Sequence, residues 1–179
     1  GNRNAVKWPA QTMFVSELYT RLKVPVKGTE TLEDFLKLRK SEQDDRKDVG
    51  GFIGGTVKDG GRRKAGNIQG RDVLTLDMDH IPAGSTNDIL RRVSGLGCGY
   101  CIYSTRKHSP AAPRLRVVIP LDRTVSADEN EPIARKTAEL IGIEFCDPST
   151  FEASRLMYWP SCCADSDYVY TYEDKPFIS

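Results

Sequence analysis

Helical periodicity opens the chain. From Thr12 to Leu22 apolar side chains recur at helical spacing. A second helix is indicated at Thr31, which has an acid, Asp34, three residues later and an apolar run beyond it. After a charge-rich stretch over 41–48, the segments GGFIGGTV and KDGGRRKAGN are typical of a glycine-punctuated strand and a basic loop. We therefore predict an N-terminal unit of helices and a β-hairpin over about residues 1–70.

From near residue 71, segments with the two-residue period of a strand alternate with segments that have the period of a helix. The segment DVLTLDMD alternates like a strand. It is followed by a helix over 86–93, strands over 99–104 and 114–121, a helix over about 128–141 and a closing strand over 155–159. The order β-α-β-β-α-β predicts an α+β fold with an RRM-like core over about 71–160. Such a core is an antiparallel sheet with two helices on one face and the other face free for a site.

Composition limits the chain to one domain. Its 179 residues are 39% hydrophobic and 28% charged, which is enough to bury one sizeable core. The 26 basic and 25 acidic residues give a net charge of +1, so any affinity for nucleic acid must come from local patches. Because the sequence contains neither a membrane-spanning run nor a secretory signal pattern, we expect a soluble, cytoplasmic protein with no membrane partner.

The cysteine count argues against a secreted disulfide protein. There are five cysteines, an odd number. Cys98 and Cys101 have the C-x-x-C spacing of a zinc site, but they fall in a predicted strand, where their side chains point to opposite faces. This placement favours buried thiols over structural zinc.

Acidic side chains form the first candidate site. Asp77 and Asp79 are two positions apart in a predicted strand, so both project from one face, roughly 6.5 to 7 Å apart at Cα. A third acid, Asp147, lies in a predicted turn before the last strand, with Glu144 and Glu152 as alternatives. Carboxylate oxygens suit Mg²⁺ or Mn²⁺, and three acids from separate segments are typical of a two-ion site for phosphoryl transfer. The alternative is a strand end with solvated acids.

Phosphate-binding side chains follow the second predicted core strand. The segment CIYSTRKHSPAAPRLRVVIPL supplies hydroxyls, an imidazole and cations, and Arg155 opens the last predicted strand. Such donors suit a triphosphate, because hydroxyls and lysine donate to phosphate oxygens and arginine donates through two N–H groups at once. The candidates are Ser104, Thr105, Arg106, Lys107, His108, Arg114, Arg116 and Arg155. For His108 alone, a surface position without function is the alternative.

A basic loop upstream is a separate candidate. Arg62, Arg63 and Lys64 are consecutive cations between glycines. They indicate either a patch that contacts phosphates or the solvated tip of a hairpin.

Together these motifs resemble the archaeo-eukaryotic primase superfamily, in particular its phage and mobile-element primase-polymerase branch. The resemblance rests on an acid-x-acid strand (LDMD), a serine-and-histidine motif (STRKH) and a later acid (CDPS), followed by SRLMYWP, and it covers roughly 51–160. The family places its serine and histidine two residues apart, whereas His108 is four residues after Ser104. In this sequence, the nucleotide phosphate that the family's histidine binds would therefore be bound either by His108 or by Arg114 or Arg116.

The resemblance implies a nucleotidyltransferase, a DNA-directed primase-polymerase acting in DNA replication. Asp77, Asp79 and Asp147 would hold two Mg²⁺ or Mn²⁺ ions, and the basic side chains, with His108, would bind the triphosphate of an NTP or dNTP. A 3′-hydroxyl on a single-stranded or primed DNA template would attack the α-phosphate. The stretch over 161–179 ends without a strong stop, so we expect a fragment of a longer replication protein. The resemblance also implies a fused or associated helicase and a bacterial or archaeal host cell.

Two other functions fit parts of the pattern. A metal-dependent nuclease would also use clustered acids, but it needs no triphosphate pocket. A non-catalytic module could bind single-stranded nucleic acid by stacking bases on aromatic side chains, for which the candidates are Tyr100, Tyr103, Tyr158 and Trp159. That function gives no reason for two acids on the sheet face, since they would repel a phosphate backbone.

Overall fold

The computed structural model describes all residues, 1–179, and is built around one five-stranded antiparallel sheet. The helices are α1 (Val15–Lys23), α2 (Leu32–Lys37), α3 (Lys40–Lys47), α4 (Thr86–Ser94) and α5 (Ala127–Ile141). The strands are β1 (Val26–Lys27), β2 (Gly51–Phe52), β3 (Gly55–Val57), β4 (Ile68–Met78), β5 (Tyr100–Ser104), β6 (Leu115–Val125), β7 (Met157–Tyr158), β8 (Ser161–Cys162) and β9 (Tyr170–Glu173). The central sheet has the order β3-β4-β6-β5-β9, and β1-β8 and β2-β7 are separate two-stranded sheets.

One face of the sheet carries the main core. Alternate residues of β4, namely Leu74, Leu76 and Met78, are fully buried against α4 and α5, as the period of a strand requires. Helix α5 begins at a capping box in which Ser126 and Glu129 satisfy each other's backbone N–H groups. The predicted α+β class, the antiparallel sheet and the two helices on one face are therefore confirmed.

The opposite face is only partly free, which corrects the predicted open face. Helix α1 packs Leu18 and Leu22 against Tyr103 and Val118 of this face. The helical pattern of residues 12–22 is confirmed from Val15 onward. A cleft remains on this face near the end of β4, and the buried Asp77 is among the residues that line it.

The predicted closing strand does not belong to the central sheet. Met157 and Tyr158 pair instead with β2, and the two outer positions of the sheet are held by β3 and β9. Because β4 is longer than predicted and begins at Ile68, its N-terminal half already pairs with β3 and offers no free edge. The β-α-β-β-α order of β4 to α5 is confirmed. The predicted last strand is present as β7, but its expected place in the central sheet is wrong.

In the N-terminal unit, one predicted helix start is confirmed and one helix was not predicted. The Thr31 hydroxyl accepts a hydrogen bond from the N–H of Asp34, which confirms the predicted helix start. The charge-rich stretch, by contrast, forms helix α3. None of the helices combines the length and the apolar composition needed to cross a membrane.

The cysteines are free thiols and are buried. Cys98 packs in the core on the helix side, while Cys101 packs with α1 on the other side, as predicted from the strand. No cysteine belongs to a group of three potential metal ligands. The arrangement agrees with buried thiols.

Candidate metal centre and basic cleft

Three carboxylates converge at the end of β4. Asp77 is the penultimate residue of this strand, Asp79 follows its end, and Asp147 precedes a short 3-10 turn at Pro148–Phe151. One oxygen from each carboxylate lies within 4.8 Å of the others. Asp77 is buried, and Asp79 and Asp147 are half-buried. This is the only group of three or more His, Cys, Asp or Glu side chains in the chain that could hold a metal ion.

Backbone pairing explains how Asp147 reaches Asp77. The N–H of Asp147 donates to the carbonyl of Asp77 at 2.8 Å, beside an isolated bridge between Met78 and Cys146. The hydroxyl of Thr150 joins the same two segments, because it accepts from the N–H of Asp77 at 2.8 Å and donates to a β4 carbonyl at 3.1 Å. The turn after α5 is thus hydrogen-bonded to the end of β4. These bonds hold the side chain of Asp147 beside Asp77 and Asp79.

Arginines partly neutralise the three acids. Arg116 lies directly opposite Asp77 in the β4–β6 register, with Nε 3.4 Å from Oδ1. Arg155 Nη2 lies 3.3 Å from Asp77 Oδ2 and 3.0 Å from Asp147 Oδ2. Arg114 Nη1 lies 3.4 Å from Asp79 Oδ2. Three of the predicted phosphate-binding arginines therefore contact the predicted metal ligands.

The acids differ in their electrostatic environment. Burial, followed by the negative charge of Asp77, raises the pKa of Asp79. Burial alone would also raise the pKa of Asp147, but hydrogen bonds from Ser149 and the charge of Arg155 hold that pKa below its usual value. A cation at this point would relieve the repulsion between Asp77 and Asp79, and three carboxylate oxygens are the ligand type that Mg²⁺ and Mn²⁺ prefer. The donor set therefore fits the predicted ions.

A polar cleft with a volume of about 450 Å³ opens beside the acids. Of the predicted phosphate donors, those that line it are Ser104, Thr105, Arg106, Lys107, Arg114, Arg116 and Arg155. Two of them have structural contacts as well. The Ser104 hydroxyl accepts from the N–H of Val169 at 2.9 Å, and Arg106 forms a buried ion pair with Glu30. The alternative acids Glu144 and Glu152 lie outside the metal cluster.

His108 does not line the cleft. Its side chain is buried, with 5% of the residue exposed, and its Nδ1 accepts from the N–H of Arg114 at 3.0 Å. Burial lowers the pKa of His108. The expected place of His108 among the phosphate ligands is thus corrected, because the imidazole is used inside the loop that presents Arg114.

Helix α3 supplies cleft residues that we did not predict. Lys40, Asp44 and Lys47 lie at spacings of four and three and line the cleft from one helix face. Burial, followed by the charges of Lys107 and Lys40, lowers the pKa of Lys47 to about 8. Asp44 and Lys47 fall in the charge run over 41–48 and Lys40 directly precedes it, but only a helical period would have shown that these side chains share a face.

Comparison with protein families bears on the whole chain. Residues 1–179 match the model of the VapE N-terminal domain. The chain belongs to the VapE N-terminal domain family. This family is associated with phages and mobile elements, which agrees with the genetic context expected from the sequence. No curated protein matches this VapE N-terminal domain, and no solved structure does.

The family match extends beyond the region of the primase resemblance. That resemblance covers roughly 51–160. The family model matches residues 1–179, so it also includes α3 and the C-terminal strand β9. The α3 lysines that line the cleft thus belong to the domain that the family defines.

Proposed function

We propose that this VapE N-terminal domain is a primase-polymerase that joins nucleotides on a DNA template by two-metal phosphoryl transfer. The observation that carries the proposal is the convergence of Asp77, Asp79 and Asp147 beside a cleft lined by lysines and arginines. An enzyme that uses a nucleoside triphosphate needs acidic side chains that bind metal ions and basic side chains that bind the phosphates. The adjacent strands β4-β6-β5, with α4 and α5 behind them, support an RRM-like core of the archaeo-eukaryotic primase type.

Each group of side chains has a separate task in this proposal. Asp77, Asp79 and Asp147 would hold two Mg²⁺ or Mn²⁺ ions, which when bound lower the pKa of an attacking 3′-hydroxyl and neutralise the triphosphate. Arg114, Arg116 and Arg155 already lie beside these acids and would donate to the reacting phosphates. The lysines of the cleft, Lys40, Lys47 and Lys107, would bind the terminal phosphates. The protein needs no covalent nucleophile, because positioning and charge neutralisation supply the rate enhancement.

The cleft favours polymerisation over hydrolysis of a strand. A nuclease needs to neutralise one phosphodiester at the metal ions. Here three lysines line the cleft in addition to three arginines at the acids. This amount of positive charge suits a polyphosphate.

The positions of the aromatic side chains count against a simple stacking module. Tyr100 and Tyr103 are 3% and 0% exposed, so neither can present a ring to a base. Tyr158 and Trp159 are half-buried and line the cleft. NTPs or dNTPs, a single-stranded or primed DNA template and a fused or associated helicase are the partners in our proposal.

The test is incorporation of labelled NTPs and dNTPs on single-stranded and primed DNA with Mg²⁺ or Mn²⁺. The variant Asp77→Asn with Asp79→Asn keeps the shape of both side chains and removes their charge. We expect a loss of about a hundredfold or more, since metal-ion stabilisation of the transition state amounts to several kcal/mol. The matched control is Asp122→Asn with Asp128→Asn, which changes two exposed acids outside the cleft. Metal-dependent strand cleavage without incorporation would instead establish the nuclease.

A further inference from the structure

A second basic pocket lies next to the cleft. It has a volume of about 300 Å³ and is lined by Arg3, Asn4, Ala5, Val6, Arg62 and Arg63. No acid is among these residues, but Arg3 forms an ion pair with Asp45 of α3. Arg3 also lines the metal-binding cleft, so the two depressions share a wall.

The cations of the basic loop are free of ion pairs. Arg62, Arg63 and Lys64 have no carboxylate at salt-bridge distance, whereas exposed arginines elsewhere, such as Arg91 and Arg123, are paired with an acid. An unpaired cluster keeps its positive potential for an anionic partner. Other exposed cations, such as Arg21 and Lys58, are unpaired too, but only in this loop are three unpaired cations consecutive in the chain.

The loop connects the antiparallel strands β3 and β4, and hydrogen bonds fix it in place although Arg62 and Lys64 are exposed. The N–H of Trp8 donates to the carbonyl of Gly60 at 2.8 Å, and the Asn67 side chain donates to the carbonyl of Arg62 at 2.9 Å. Arg63 Nη1 donates to the carbonyl of Ser154 at 2.9 Å, and its guanidinium lies 5.6 Å from the centre of the Trp8 ring. A preformed site of this kind binds without first ordering a loop.

The same contacts connect the pocket to the metal centre. Ser154, which accepts from Arg63, directly precedes Arg155, and Arg155 contacts Asp77 and Asp147. The pocket is therefore joined to the metal centre through residues 154 and 155, and to the cleft through Arg3.

We propose that the pocket formed by Arg3, Arg62 and Arg63 binds backbone phosphates of the nucleic-acid strand that enters the metal-binding cleft. Arginine suits this ligand because its fork can donate to two oxygens of one phosphodiester. The inference deepens the proposed function and rests on it for the identity of the strand as template or primer. It assigns the lysines of the cleft to the nucleotide and the arginines of the pocket to the strand.

The test uses Arg62→Glu, because this side chain is exposed and makes no hydrogen bond or ion pair that folding would lose. Binding of a labelled single strand of about 16 nucleotides is followed by fluorescence anisotropy over a series of salt concentrations, without nucleotide. We expect affinity at low salt to fall about tenfold, with the slope of log affinity against log salt reduced by about 0.7 for each lost phosphate contact. Arg62→Lys should retain most of the affinity. The matched control is Arg91→Glu on α4, which packs against the opposite face of the sheet.

The outcomes separate this inference from the proposed function. Loss of strand binding in Arg62→Glu, with unchanged binding of Mn²⁺ and nucleoside triphosphate, supports the pocket even if the wild type incorporates nothing. Equal binding by Arg62→Glu and Arg91→Glu, or no strand binding by the wild type, overturns it even if incorporation is intact. Inorganic phosphate at matched ionic strength should compete no better than chloride, and specific competition would identify a free-phosphate site instead.

Discussion

At the residue scale, Arg155 links two of the candidate metal ligands to the basic loop. It contacts Asp77 on β4 and Asp147 on the turn after α5, and its neighbour Ser154 accepts from Arg63 of the basic loop. The guanidinium therefore competes with any cation that these two carboxylates would bind. The same group is one of the donors that we assign to the phosphates.

Replacing Arg155 with alanine separates these two effects. We expect Arg155→Ala to bind Mn²⁺ alone a few-fold more tightly, because a half-exposed ion pair that competes for the acids is removed. We also expect the KM for nucleoside triphosphate to rise about tenfold, because a charge-assisted hydrogen bond to phosphate is lost. Titration calorimetry with Mn²⁺ and steady-state kinetics measure the two quantities. Parallel weakening of both would show that Arg155 serves only to hold the acids in place.

His108 has a structural task at the residue scale. His108→Ala leaves the partly buried N–H of Arg114 without its acceptor, so we expect a loss of about 1 to 3 kcal/mol in the free energy of unfolding. His108→Asn offers an amide oxygen and should recover part of it. Urea unfolding measures the loss, and incorporation per folded molecule should change far less than in the Asp77 and Asp79 variant. A hundredfold drop in incorporation by His108→Asn at unchanged stability would contradict this role.

The lowered pKa of His108 also makes stability depend on pH. Above the unfolded-state pKa, about 6.5, the imidazole is neutral in both states and contributes no pH dependence. Below it the unfolded chain binds a proton that the buried imidazole resists, so stability falls as pH decreases. We expect the stability difference between wild type and His108→Asn to shrink as pH falls below that value. A difference that is constant with pH would show that the imidazole titrates normally in the native state.

At the scale of elements, the long strand β4 and the helix α3 form two walls of the site. The strand carries the acids, and the helix brings Lys40 and Lys47 to the cleft from a distant part of the chain. Sequence periodicity predicted the strand and its paired acids. It did not predict that α3 lies opposite them, because that placement depends on packing between segments far apart in sequence.

The half-buried position of Lys47 on α3 gives nucleotide binding a pH dependence. Its pKa of about 8 means that the cation is present below that value and is lost above it. We expect triphosphate affinity to decrease as pH rises through about 8, because the neutral amine must take up a proton to bind an anion. Lys47→Arg should remove this dependence, and Lys47→Met should weaken affinity at every pH.

The measurement is the affinity for nucleoside triphosphate with Mn²⁺ between about pH 6.5 and 9, the range that brackets this pKa. Lys37→Met on α2 is the matched control, since Lys37 is exposed and lies outside the cleft. A wild-type pH profile identical to that of Lys47→Arg would contradict the assignment of Lys47 to the phosphates.

At the scale of the whole molecule, the N-terminal unit and the chain after α5 are joined by strand pairing and by core packing. Strand β1 pairs with β8 and β2 with β7, so each small sheet joins one strand from either end of the sequence. Trp8 packs in a core cluster with Ile68 and Leu156. These contacts argue against an N-terminal unit that folds alone.

We therefore expect the 179 residues to unfold in a single cooperative transition. Trp8 reports on the N-terminal cluster and Trp159 on the cleft, where its ring packs at a tilt against Phe52 with 4.6 Å between ring centres. Fluorescence of Trp8→Phe and of Trp159→Phe should give the same urea midpoint as far-ultraviolet circular dichroism. Two separate midpoints would show that the N-terminal unit is an independent domain.

Much of this protein follows from its sequence, because side chains that share a strand or helix face are placed by a local period. The spacing of Asp77 and Asp79, the helix start at Thr31 and the order from β4 to α5 are of this kind. Tertiary structure alone decided that β7 pairs with β2, that His108 turns inward, and that the α3 lysines face the acids. These features depend on which segments, far apart in sequence, pair and pack with each other, and the local period of a segment does not specify its partner.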